Sequence, residues 1–474
     1  MNKQTSMFKY SLFALALSLT LASCDLFKKA ETTAPKKTQK EDPRDANNPN
    51  TSGRVSGVDT VRWKTDNRTK PPISTGQTPP SPVIVTDNSG GQGNNPTNPT
   101  NPSDPTPGTN VTPSTKDAYI LDVILPFSSD KFVETSGTNP AKSQFALDFY
   151  AGVKMALDTI GTLPIRLTVN VKDSKDGFNA ISGRYGFDKT DVILGPIEKD
   201  NVVQAIAYSS RNNVTVVSPY FPTGEIEGIN PNFVQVKPSL RTHCHNIVKH
   251  IQTKYPGASV VMAARSKENE TSRFAYFEEG EKMYSAAKFE EWKIEDDISF
   301  NPDAYIEKTG TTVFIVPSWN EAFVTSFLRK LNASPYKNQI IVYGMPQWMD
   351  FSSSLNSLYD ALHVHVSSST YMDNNSAEVR FFRNKFMSKF GKLPNPDAAL
   401  GYDCMLFVGK MMLQYGSKFP YFLDREQQTV LHTKFNFAPV FRNVNNDAGS
   451  NVAKYENNYV NILKFQSNTF RLDE

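Results

Sequence analysis

Cysteine is scarce in this chain. Three occur in 474 residues, Cys24, Cys244 and Cys404. The two beyond residue 24 stand far apart in sequence, so no disulfide framework holds the fold and an apolar core must. Charge of one sign is lacking as well. The formal net charge is +3, with Lys and Arg spread along the chain, which excludes a nucleic-acid surface or a polybasic membrane patch. The N-terminal apolar run, Leu12 to Leu21, falls short of the ~20 residues that a membrane-spanning helix needs. No nucleophile elbow, P-loop, HExxH or paired-cysteine motif is present. Catalysis is therefore not expected, and no cofactor is.

What the N-terminus does have is a basic start (Lys3, Lys9), that apolar run, and Leu21-Ala22-Ser23-Cys24 at its end. This reads as a bacterial lipoprotein signal over 1–23, cut before Cys24, with lipid on the Cys24 thiol holding the mature chain at a membrane of the cell envelope. Asp25 bears on sorting, and the outer membrane is favoured over the inner. From 24 to 117 the chain is Pro, Thr, Asn, Ser and Gly, ending in the near-repeat Asn94-Asn95-Pro96-Thr97-Asn98-Pro99-Thr100-Asn101-Pro102. It has too little apolar surface to repay its ordering entropy and is expected to be a disordered tether. One island, Val58-Asp59-Thr60-Val61-Arg62-Trp63, alternates like a strand. It would either dock or stay loose.

After Tyr119 the pattern changes. Ile120 to Phe127, Ile165 to Val171, Val192 to Gly195 and Val214 to Ser218 read as strands, separated by helical stripes such as Phe145, Phe149, Val153, Ala156, Leu157 and Ile160. The alternation then repeats with helix 240–255, strands at 260–264, 312–316, 340–343 and 362–367, and late helices ending near Gln414. Strands and helices in turn predict parallel sheets covered on both faces, and the length predicts two lobes.

With these elements placed, the chain resembles the type 1 periplasmic binding proteins, the family of the branched-chain amino acid receptors of ABC transporters. Phe149-Tyr150-Ala151-Gly152-Val153-Lys154-Met155-Ala156-Leu157-Asp158 is similar to that family's first helix, and Val171-Lys172-Asp173 to its second strand. Val192-Ile193-Leu194-Gly195-Pro196, Val217-Ser218-Pro219 and Gly401-Tyr402-Asp403 follow in the family's order. Tyr343-Gly344-Met345-Pro346-Gln347-Trp348, Phe390-Gly391-Lys392-Leu393-Pro394 and the later Tyr-Asp pair resemble a lipoprotein branch of the same fold, distantly like the penicillin-binding-protein activator lipoproteins. The resemblance spans 118–474. It implies an α/β fold of two Rossmann-like lobes with parallel sheets joined by a multi-strand hinge, lobe one from 118–238 and 370–432, lobe two from 239–369 and 433–474.

Ligands of open α/β sheets bind beyond the carboxyl ends of the strands, and in this family those ends face one another across a cleft. The positions that reach it would be Ser129, Asp173, Lys199, Tyr220 and Phe221 from lobe one, and Arg265, Trp319, Gln347 and Trp348 from lobe two, with Tyr371 near the crossover. The family's amino acid receptors place Ser or Thr after the Gly-Pro turn, whereas this chain has Ile197-Glu198-Lys199-Asp200, which argues against a free amino acid. Trp319 and Trp348 follow neighbouring strands and would either stack on a sugar, peptide or protein partner or cap the sheet edge. His363 and His365, on one strand face, have no third ligand at matching spacing, so no metal site is expected. The resemblance implies a lipid-anchored receptor for a small polar ligand (amino acid, peptide or cell-wall fragment), with an ABC permease as one possible partner. The alternative is a non-transport regulator or scaffold acting on cell-wall synthesis or envelope machinery.

Overall fold

Two sheets, one of nine strands and one of seven, organise the chain in the computed structural model. It describes residues 58–63, 112–132, 141–221, 228–442 and 452–473; the expected signal peptide, Cys24 and most of the expected tether lie outside the described residues. The strands are β1 (Val58–Trp63), β2 (Ala118–Leu125), β3 (Arg166–Asp173), β4 (Val192–Leu194), β5 (Thr215–Ser218), β6 (Phe233–Gln235), β7 (Ser259–Arg265), β8 (Glu290–Ile294), β9 (Thr312–Ile315), β10 (Ile340–Gly344), β11 (Val364–Ser368), β12 (Gln427–Thr429), β13 (Lys434–Phe441), β14 (Val452–Asn457), β15 (Asn461–Gln466) and β16 (Thr469–Leu472). The helices are α1 (Ala141–Ile160), α2 (Phe178–Tyr185), α3 (Lys199–Asn212), α4 (Leu240–Lys254), α5 (Glu268–Thr271), α6 (Phe274–Met283), α7 (Glu321–Ala333), α8 (Asn356–Ala361), α9 (Ala377–Phe390) and α10 (Pro396–Tyr415).

The first sheet runs β1-β3-β2-β4-β5-β6-β14-β13-β12. Its strands β3, β2, β4, β5, β6 and β14 are mutually parallel. The stripe read from the sequence on α1 packs with α10 on one face, where Phe149, Val153 and Ile160 meet Leu121, Val123 and Val169. On the other face α2 and α3 bring Phe178, Ile181 and Val202 against Ile124, Ile193 and Val216. Covering on both faces explains why these strands are near-continuous apolar runs.

The second sheet runs β16-β15-β11-β10-β9-β7-β8. α7 and α8 cover one face through Phe323, Phe327 and Tyr359. α4 and α6 cover the other through Cys244, Ile247, Val248 and Phe277. α4 is fixed at its start by the Ser239 side chain, which accepts from the Thr242 amide.

The chain crosses between the lobes at 236–239, 369–376 and 458–460. The last crossing lies later than the resemblance implies. β13 and β14 were expected in lobe two but extend the first sheet, through the parallel pairing of Tyr455 with Val234. Phe435, Phe437 and Tyr455 join the core around Phe407, and that burial draws both strands to lobe one. The island at 58–63 is β1, paired antiparallel with β3 from Val58↔Lys172 to Trp63↔Leu167. Part of the stretch expected as a tether thus lies in the sheet. Among the described residues no helix is long and apolar enough to cross a membrane.

Candidate functional site

The crossovers are bound together by buried polar groups. Glu456 of β14 accepts from the Ser239 amide at 2.7 Å and the Thr242 hydroxyl at 2.7 Å, and pairs with the Lys454 ammonium at 2.8 Å. Burial alone would raise the Glu456 carboxyl, but Lys454 and these donors hold it below the usual carboxylate range. Lys454 also donates to the Gln235 side-chain carbonyl at 2.7 Å. At the second crossover, Asp403 of α10 is buried. It accepts from the amides of Leu431 at 3.0 Å and His432 at 3.1 Å and pairs with the His432 ring. The His432 carbonyl in turn accepts from the Tyr371 amide at 2.6 Å. Asp403, expected only as a motif residue, therefore ties the 430–433 strap to residue 371.

Beside these ties lies a pocket of about 150 Å³, contributed by Tyr220, Lys237, Thr370, Asp397, His432 and Thr433 among others. The Lys237 ammonium stands 4.5 Å from the centre of the Tyr220 ring, a cation–π distance. Tyr220 is itself braced edge-on by Phe145 at 5.0 Å. Burial lowers the Lys237 pKa, with Asp397 pulling the other way. Burial also raises Asp397, helped by Asp148 and opposed by Lys237. Lys237 makes no ion pair among the described residues, and the buried Thr433 hydroxyl has no hydrogen-bond partner there. A cation, an aromatic face and a half-buried carboxyl thus share one small space of lobe one, at the first two crossovers, an arrangement suited to a small polar ligand carrying an anionic group.

The predicted positions divide sharply. Tyr220 reaches this pocket, and Tyr371 is tied to its wall. Ser129 and Asp173 meet, but for structural reasons: Asp173 accepts from the amides of Ser128 at 3.1 Å, Ser129 at 2.8 Å and Lys175 at 3.1 Å, tying the segment after β2 to the end of β3. Lys199 is exposed at the first position of α3, and Gln347 is exposed in the turn after β10. Phe221 was expected in the cleft but packs instead on the core beneath α2 and α3. Trp348 is likewise a correction. It is 0 % exposed, its indole N–H donates to the Ser318 carbonyl at 2.9 Å, and its ring lies on Gly344, where a Cβ would stand 2.3 Å away. The glycine leaves a slot that the indole fills, so the ring belongs to the core.

On lobe two, Arg265 is taken up by Glu270, which also accepts from the Ser318 hydroxyl at 2.9 Å. Trp319 is 46 % exposed, with the Arg273 guanidinium 3.8 Å from its ring centre. His363, with φ 47°, falls outside β11, so it does not share a strand face with His365. His365 is buried against Tyr343 at 4.8 Å between centroids. Sequence reasoning missed Lys237 and Asp397. Lys237 follows a strand of only three residues, β6, too short to show a period, and Asp397 reads as an ordinary acidic first-turn residue of α10.

Sheet order, two-lobed division and three crossovers define the fold of the type 1 periplasmic binding proteins, and solved structures agree. A protein of Rhodospirillum rubrum assigned to branched-chain amino acid ABC transport superposes with TM-score 0.54 at 14 % identity, over 75 % of this chain and 100 % of that one. Full-length LpoA of Haemophilus influenzae superposes with TM-score 0.52 at 10 % identity, over 76 % of this chain and 60 % of LpoA. The C-domain of the same LpoA, a regulator of PBP1A, gives TM-score 0.51 at 10 % identity over 75 % of this chain and 100 % of the domain. No family model matches the sequence, and no curated protein matches it.

Proposed function

We propose that the chain is a lipid-anchored receptor of the bacterial cell envelope that holds a small polar ligand with an anionic group between its lobes, and that it catalyses no reaction. The observation that carries this reading is the Lys237 ammonium, set over Tyr220 and facing Asp397 in the crossover pocket without an ion pair among the described residues. A carboxylate or similar anion would supply the missing partner, and a ligand resting on the crossovers at Lys237 and Thr370 favours the lobe arrangement in which it is held. The Rhodospirillum neighbour supports the receptor class, and the run ending in Cys24 supports the anchor, with the outer membrane favoured.

The test uses the full chain with Cys24→Ser. Wild type should fractionate with membranes and resist salt and carbonate extraction, and the variant should not. The soluble variant should melt at higher temperature with a member of a panel of amino acids, short peptides and muropeptides, and Lys237→Gln should abolish that shift. If nothing in the panel moves the melting temperature, the ligand-holding reading fails.

A second reading, a regulator or scaffold for cell-wall synthesis or envelope machinery, is favoured by Trp319, whose half-exposed ring backed by Arg273 suits a protein contact. LpoA, a regulator of PBP1A, supports the same class. Copurification from solubilised envelopes separates the two: an ABC permease favours the first, a peptidoglycan synthase the second.

A further inference from the structure

Next to the crossover pocket, and sharing Thr433 with it, lies a cavity of about 1020 Å³. It draws on α1, α9, α10 and the strap before β13 from lobe one, and on the end of β15 and on β16 from lobe two. Its apolar lining includes Met155, Phe382, Tyr402, Leu406, Phe407 and Leu472, of which Met155, Phe382 and Phe407 are buried side chains of the lobe-one core. Phe381, also at the cavity, is 69 % exposed.

Four cations line the same space: Lys385, Lys410, Lys434 and Arg471. None has an ion pair among the described residues. The contrast lies within one helix: Lys389, one turn beyond Lys385, pairs with Asp158, and Lys392 just past the helix pairs with Asp148. Both partnered lysines lie outside the cavity. Of the carboxylates at the cavity, Asp403 is paired with His432 and accepts from two amides; Asp373, which accepts from the Asn375 amide, and Glu378 keep their charge. Four cations against these two carboxylates leave the balance outside the Asp403–His432 pair positive.

Lys385, Lys410 and Arg471 are exposed, so their attraction for a simple anion is screened by water and salt and cannot by itself hold one. The wide apolar lining can supply affinity but gives no preference for charge. A ligand that uses both must carry an apolar chain and an anionic head. We infer that this cavity is a second binding site, taking a single-chain anionic amphiphile of the fatty acid or lysophospholipid class, with its chain against Phe381, Tyr402, Leu406 and Leu472 and its head among the cations. Because both lobes contribute, an occupant would also bias their relative arrangement.

This site is separate from the Lys237 pocket. The experiment follows displacement of cis-parinaric acid from the full chain carrying Cys24→Ser. Oleate and lysophosphatidylglycerol test the two sources of the chemistry, and the tighter competitor identifies the source. Monoolein and inorganic phosphate control for chain and head alone. Saturable binding of one probe per chain is expected, with oleate or lysophosphatidylglycerol at least tenfold tighter than monoolein. Lys385→Ala with Lys410→Ala should weaken the anionic competitors at least tenfold at unchanged melting temperature, while Lys237→Gln should leave probe binding intact, so the two sites fail independently. Absence of saturable binding, equal competition by neutral and anionic amphiphiles, or displacement by an acidic apolar peptide and by neither lipid would each overturn the inference.

Discussion

Gly152 of α1 and Gly401 of α10 sit where the two helices cross. A Cβ on the first would lie 1.9 Å from the Ala398 carbonyl oxygen, and one on the second 2.0 Å from that of Phe149. Backbone meets backbone there, and no side-chain rotation can relieve an added methyl. Gly152→Ala or Gly401→Ala should therefore destabilise lobe one by about 1–3 kcal/mol or more, read as a lower denaturant midpoint. An unchanged midpoint would mean that the helices are not in contact.

The tryptophans on lobe two separate by burial. Trp348→Ala removes a fully buried ring that stacks on Tyr359 at 6.1 Å and orphans the Ser318 carbonyl, so a loss of about 3–5 kcal/mol is expected. Trp319→Ala removes a half-exposed ring with one cation–π contact and should cost under about 1 kcal/mol. Chemical denaturation of the two variants checks the ranking, and equal costs would refute it.

The same pair shows where sequence reading stops. Both tryptophans follow a strand and precede a helix, and composition cannot tell which faces solvent; Gly344 decides it, by leaving the slot that Trp348 fills. The lobes and their central strands were legible because burial on both faces leaves unbroken apolar runs, as in Val260 to Ala264. The sheet to which β13 and β14 belong was not, since a strand's pattern records its faces and not its neighbour across the ladder. Lys237 was illegible for a related reason: its importance comes from Tyr220 and Asp397, which lie elsewhere in the sequence and converge on it only when lobe one folds around the first two crossovers.

Acid should weaken the hinge. His243, near the start of α4, is buried, accepts or donates at 2.9 Å with the Ser367 hydroxyl, and is lowered to about 4, first by burial and then by Lys237, with Glu456 opposing. The unfolded value is about 6.5. Between pH 4 and 6.5 the unfolded chain therefore binds a proton that the folded chain does not, so stability rises with pH across that window and falls on acidification, by up to about 1.4 kcal/mol per pH unit. His243→Gln should flatten the slope of unfolding free energy against pH by about one proton in that window, leaving the part due to His250, which burial also lowers to about 4. A slope identical to wild type would exclude His243 as a source.

The outer edge of β3 provides the last test. β1 covers it with six paired residues, and the register puts Asp59, Val61 and Trp63 opposite Val171, Val169 and Leu167, the β3 positions that face the α1 and α10 core. Holding β1 there closes the chain between 63 and 118, which costs roughly 3–4 kcal/mol of loop entropy for on the order of fifty residues. A ladder of this length returns about 0.5–1.5 kcal/mol per hydrogen bond. The two nearly balance, so β1 should open far more easily than the rest of its sheet. In hydrogen exchange of the full chain, the β3 amides directed at β1 should show intermediate protection, and deletion of 58–63 should speed their exchange at least tenfold while leaving β2 unchanged. Equal protection of β3 with and without 58–63 would show that the edge is bare in solution.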